Sequence, residues 1–195
     1  MISIPIKNHL DLMKSNKELF GHLKPNPKTN QFEPYDVSEE KDACVNIETT
    51  INAIQHESDI KKGVHIIFHT HPKTETPCPS LEDYILSMTL IQYKHIDASV
   101  VVSEYGYAMI TNSKVFLAID FTKNVLNLIN DLDKFDGWWT LQEHSKLLKK
   151  YGLIVKYHFL DIDYSKYKYK YDKKYKTELL NGLRDIYEYN MFKIY

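Results

Sequence analysis

A chain of 195 residues with 43% hydrophobic content is long enough to bury a core, and its composition is not that of a disordered segment. The formal net charge of -1 gives no general attraction to nucleic acid or anionic membranes, and Arg184 is the single arginine, so bidentate guanidinium contacts to phosphate or guanine are scarce. Cys44 and Cys78 are too few for a disulfide framework or a cysteine-based zinc site. No apolar run has signal-peptide or bilayer-spanning length, so a soluble intracellular protein is expected, cytoplasmic or in the host cytoplasm if viral.

In chain order, "HLDLMKSNKELF" carries Leu10, Met13 and Phe20 with Leu12 and Leu19 between them, which predicts a short amphipathic helix entering a strand. "ELFGHL" (Glu18 to Leu23) is short and apolar, and Pro25 and Pro27 are expected to end it. Residues 26–42 carry Pro, Asn and charge and read as a loop, and "ACVNIETTI" then alternates as a strand. "VHIIFHTH" is β-branched and aromatic, a strand. Pro72, Pro77 and Pro79 keep the following stretch out of helix and ladder. Ser80 is a helix N-cap with Asp83 three residues on, and "SLEDYILSMTLIQY" reads as helix. "ASVVVSE" and "YAMIT" predict a hairpin around "SEYGY", and "KVFLAIDF" a further strand. Helices are expected near 122–133 and 140–151, a strand at "LIVKYHFLDI", and a closing helix at "ELLNGLRDIYEYNMF". No internal repeat is visible.

The chemistry concentrates in "HIIFHTHPKTETPCPSLED", residues 65–83. Along a strand, residues i and i+2 share a face roughly 6.6 Å apart, at about 3.3 Å per residue. His69 and His71 can therefore present two imidazoles to one point, with Thr70 facing away. Asp83, on the first turn of the next helix, can supply a carboxylate once the proline-rich loop folds back. Two histidines and one carboxylate make a three-ligand zinc set with a fourth position open to water. The competing reading is structural: two strand histidines followed by a helix cap. By strand parity His65 shares the face of His69 and His71, as a supporting or surface residue, and Cys78 is expected to pack or face substrate.

"HTHP" followed by "PSLED" resembles the JAMM motif of the JAB1/MPN metalloprotease family, His-Ser/Thr-His-Pro and then Ser-x-x-Asp. That family adds an upstream Glu-x-x-Gly-x-Leu, matched here by Glu18, Gly21 and Leu23 in "ELFGHL". The resemblance spans roughly residues 8–120, with one departure: eleven residues separate His71 from Asp83 where the family commonly has ten.

The resemblance implies a mixed, curved sheet flanked by helices, of the cytidine-deaminase-like MPN type. Residues 1–122 would be the catalytic domain and 123–195 a C-terminal α/β extension packed on it or completing it. It implies one Zn2+ per chain on His69, His71 and Asp83. Glu18 would be the general base that takes a proton from the zinc-activated water and returns it to the leaving amine, and Ser80 would donate a hydrogen bond to the oxyanion. Glu48 and Glu75 are competing candidates for the base.

The implied activity is isopeptide hydrolysis that removes ubiquitin or a ubiquitin-like modifier from lysine, with a protein partner as a potential activator. Two other functions fit parts of the sequence. One is a RadC-like nucleic-acid association, for which "YSKYKYKYDKKYK" interleaves aromatics with lysines, although nucleic acid is not the expected partner. The other is a non-catalytic MPN interaction module. A membrane partner is not expected.

Overall fold

The computed structural model describes residues 9–39, 65–71, 77–92, 96–112, 118–134, 139–159 and 168–169. Its elements are α1 (His9–Leu12), β1 (Leu19–Asn26), β2 (Gln31–Glu39), β3 (Ile66–Thr70), α2 (Leu81–Gln92), β4 (Ala98–Ser103), β5 (Gly106–Asn112), α3 (Ala118–Lys134), β6 (Trp139–Thr140), α4 (Leu141–Lys150), β7 (Leu153–Phe159) and β8 (Lys168–Tyr169). The chain divides into two compact units, Met1–Ser113 with Leu153–Ile162, and Lys114–Gly152 with Asp163–Tyr195.

The first unit is a six-stranded sheet in the order β2-β1-β3-β4-β5-β7. Only β3 and β4 run parallel, and α2 forms the crossover between them; the other pairs are antiparallel. The alternation of the strands separates two apolar clusters. On one face Leu23, Ile66, Phe68, Ala98, Val100 and Val102 pack with Met13, Phe32 and Tyr107, and Leu12 of α1 lies against them. On the other, Phe20 and Ile67 pack with Leu90 and Ile96, and Leu86 and Ile91 of α2 join them. The fold class is therefore mixed α/β, a mixed sheet flanked by helices.

Several expectations require correction. The first helix is a single turn, and Leu19 and Phe20 already belong to β1. Pro25 does not end that strand: it pairs with Phe32 across the β1–β2 hairpin. The β1–β3 ladder covers Phe20 to Leu23 only, so the missing Pro25 N–H faces no partner on β3. The span expected to be loop contains β2, an edge strand in which Pro34 is tolerated for the same reason. Between Phe20↔Ser38 and His22↔Tyr35 the register slips, so that Asp36 and Val37 both face Gly21, with Asp36 at φ 49. Gly21 is needed at this bulge, since a Cβ there would meet the Phe68 ring at 2.9 Å and the Asp36 carbonyl at 3.1 Å. Within "KVFLAIDF" the residues from Ala118 onward open α3 rather than a strand.

The hairpin expected at "SEYGY" is present as β4–β5. Gly106 has φ +140 there, and a Cβ would come within 2.1 Å of the His158 carbonyl. β7 then pairs along the whole of β5.

In the second unit, α3 buries Val125, Leu128, Ile129 and Leu132, spaced i, i+3, i+4, i+7, and α4 buries His144 and Leu148. The Tyr151 hydroxyl donates to the Asp131 carboxylate, which also pairs with Lys150 at 2.7 Å. Trp139–Thr140 pairs with Lys168–Tyr169. The strand expected at "ACVNIETTI", Cys44, Glu48, Pro72, Glu75 and the closing helix lie outside the described residues.

Candidate metal centre

β3 is buried along its full length, and its alternation aims Ile67 and His69 towards α2. The chain stays extended for one more residue, because the His71 N–H donates to the Val102 carbonyl of β4 at 2.9 Å. His69 and His71 therefore emerge on one face, their Nε2 atoms 3.3 Å apart.

The third group arrives through the cap of α2. The Ser80 N–H donates to Asp83 Oδ2 at 2.6 Å, and the Asp83 N–H donates to Ser80 Oγ at 3.1 Å. This reciprocal cap turns the carboxylate back over the helix start, where Oδ1 stands 3.0 Å from His69 Nε2 and Oδ2 3.5 Å from His71 Nε2. All three residues are less than a tenth exposed. The two readings of the motif are thus compatible: Asp83 belongs to a helix cap and also meets the histidines.

The spacing fits a metal. Zinc bonds of about 2.0–2.1 Å in a tetrahedral arrangement set ligand atoms roughly 3.3 Å apart. The two imidazole Nε2 atoms are 3.3 Å apart, and the carboxylate meets one through Oδ1 at 3.0 Å and the other through Oδ2 at 3.5 Å. Among the described residues, His69, His71 and Asp83 form a group that could hold a metal ion, with one ligand atom each and all within 4.8 Å of one another. Burial alone would push the Asp83 carboxyl up, yet the neighbouring His69 and His71 imidazoles hold it well below the usual carboxylate range.

Glu18 lies outside this group of ligands. It immediately precedes β1, whose antiparallel register pairs Phe20 with His69. That pair is the last of the β1–β3 ladder, and Glu18 lies two residues before it in the chain. The Leu19 N–H donates to Thr70 Oγ1 at 2.8 Å and fixes the chain just after Glu18. On the other side, Glu39 accepts from Ser15 Oγ at 2.8 Å and pairs with Lys17 at 3.3 Å.

Ser80 is half-buried. Its oxygen accepts from the Asp83 N–H, and among the described residues its own proton has no acceptor. The longer spacing before Asp83 has not moved Ser80 off the helix cap. His65 stands at the opposite end of β3, its N–H donating to the Asp97 carboxylate at 2.7 Å, and is no part of the cluster. Cys78 is buried just before the cap.

Two contributors escape sequence reasoning. Thr70 was legible only as the residue facing away from the histidines, and its bond to Leu19 depends on strand register. Tyr84, next to Asp83, meets Tyr157 of β7 hydroxyl to hydroxyl at 3.4 Å. Burial first, and then Cys78, pushes the Tyr157 phenol up. Nothing local to Tyr157 announces that contact, 73 residues away in sequence.

No helix among the described residues is long and apolar enough to cross a membrane. No family model and no curated protein sequence matches this chain.

Proposed function

We propose that this chain is a zinc-dependent isopeptidase of the JAMM-motif, MPN type, and that it hydrolyses the amide joining ubiquitin or a ubiquitin-like modifier to lysine. The observation that carries the reading is the buried His69–His71–Asp83 cluster with Ser80 at its edge. Its place at the end of a central strand, beside a helix N-terminus and on a mixed sheet, supports the MPN assignment.

His69 and His71 would hold one Zn2+ through Nε2, and Asp83 through its carboxylate. When bound, zinc polarises a carbonyl and lowers the pKa of water towards about 7. The chain's own residues do the rest. The Ser80 N–H holds the Asp83 carboxylate in place, so the ligand does not swing out during turnover. Glu18 accepts a proton from the attacking water and delivers it to the departing lysine amine, a role open to a carboxylate that is not itself a ligand. The Ser80 hydroxyl, already accepting from Asp83, donates its proton to the oxygen on which negative charge develops. A donor of that kind is worth about 3 kcal/mol in comparable oxyanion holes. A modifier tail would be the substrate, and a protein partner that orders the surroundings of the site would raise activity.

The test is zinc content of the purified protein together with cleavage of a di-ubiquitin linkage panel, with Glu18→Gln as control. Stoichiometric zinc and cleavage that Glu18→Gln reduces by about 100-fold or more are expected, the contribution of one positioned base. Undiminished activity in Glu18→Gln would overturn the assigned base, and a chain that takes up no zinc on reconstitution would be a scaffold.

A further inference from the structure

We propose that Thr70 is a positioning residue for Glu18, anchoring the base segment to the same strand that carries the histidines. The inference rests on the reading of Glu18 as general base and extends it to a residue with no contact to the metal cluster.

Thr70 lies between His69 and His71 and points to the opposite face of the sheet. It is buried, and its β4 neighbour in register is Val102, in the apolar cluster that also holds Phe68 and Val100. Packing alone would be met there by valine, which has nearly the same shape. A hydroxyl in apolar surroundings is costly unless it is bonded. At Thr70 it accepts the Leu19 N–H at 2.8 Å.

That bond sits one residue beyond the last ladder pair, Phe20↔His69, where β1 has not yet begun to pair with β3 through its main chain. Glu18 is the next residue upstream. One tripeptide thus touches both parts of the site: His69 and His71 on one face of β3, and, through Thr70, the start of the neighbouring strand β1. The His71 main chain is held separately, by its bond to Val102. Removing the Thr70 hydroxyl therefore takes away the bond that ties the base segment to β3, while Leu19 keeps its pairing with Glu39 of β2 and the ligand strand stays in place.

The experiment compares Thr70→Val and Thr70→Ser with wild type in the full chain. Three readouts apply: exchange of the Leu19 amide, zinc affinity by competition with a chelator, and kcat and KM on di-ubiquitin. Thr70→Val should exchange the Leu19 amide roughly tenfold faster, the worth of about one ordinary hydrogen bond. It should bind zinc as wild type does, and lose about 10- to 100-fold in kcat with KM little changed, the loss expected of a misplacement of about 1 Å. Thr70→Ser, which keeps the acceptor, should recover both exchange protection and kcat.

Unchanged protection of Leu19 in Thr70→Val would overturn the proposal whatever the activity. So would a loss of zinc affinity as large as the loss of turnover, because Thr70 would then be shaping the ligand strand. If Glu18→Gln is fully active while the exchange result holds, the base assignment fails and the anchor stands.

Discussion

Helices α2 and α4 open with the same four-residue device, and only one of them builds a site. In α2, Ser80 and Asp83 exchange two hydrogen bonds, of 2.6 and 3.1 Å. In α4, Thr140 and Glu143 do the same at 2.9 and 3.2 Å. The Thr140 hydroxyl also gives its proton to Glu143, at 2.8 Å. The Ser80 proton is not spent in this way, and the Asp83 carboxylate faces two imidazoles supplied by β3. The capping motif alone is therefore silent about chemistry. What distinguishes α2 is the strand that precedes it.

The comparison breaks most sharply if the acids are neutralised in turn. Asp83→Asn should weaken zinc binding beyond the roughly 10–100-fold that follows loss of an outer-shell partner, whereas Glu143→Gln should leave it untouched. Isothermal titration of both variants with zinc decides this, and equal affinities would remove the distinction. Next in size is the pair of cap hydroxyls. Ser80→Ala should lower kcat by about 100- to 1,000-fold through the lost oxyanion donor. Thr140→Ala should leave turnover alone, and each substitution should cost about 1 kcal/mol of stability as a lost cap. Urea unfolding alongside kinetics separates the two effects.

Acid sensitivity should also divide the two helices. Burial pushes His144 of α4 down from 6.5 to about 4. The unfolded chain then binds the proton first, so stability is intact above about pH 6.5 and falls by about 3 kcal/mol as pH drops towards 4. Asp83 behaves differently, because its folded carboxyl lies below the ordinary value. Its contribution is present above about pH 3.9 and is lost only as pH falls through the lower folded value. Metal-free protein unfolded in urea at pH 7.5 and 4.5 should lose less stability across that range as His144→Gln than as wild type. Equal losses would mean that His144 is not the responsible group.

The parts of the molecule that could be read in advance are those with strong local chemistry. β3 announced itself through Ile66, Ile67 and Phe68, α2 through the Ser80 cap, and the β4–β5 hairpin through two β-branched runs around a required glycine. His69, His71 and Asp83 converge as their spacing implied. The hairpin strand β2 was hidden, because Pro34, Asp36 and the charges near it carry turn chemistry, and only an edge position with a bulge makes them acceptable in a strand. "KVFLAIDF" misled through its apolar run, since Val125, Leu128, Ile129 and Leu132 extend helical periodicity back to Ala118. The anchor of Leu19 on Thr70 and the meeting of Tyr84 with Tyr157 are products of register and long-range pairing, which no local window contains.

The return of the chain as β7 has a consequence for how the protein is made. Strands β1 to β5, with His69, His71 and Asp83, precede residue 114, but the edge of β5 must wait for Leu153–Phe159. At about 5–20 residues per second, synthesis of the intervening stretch leaves that edge unpaired for seconds. An apolar strand with open main-chain groups is a template for pairing with other chains. A nascent chain stalled within α3 or α4 would therefore carry the histidines and Asp83 and still be prone to aggregate, and expression limited to residues 1–122 would fix the protein in that interval.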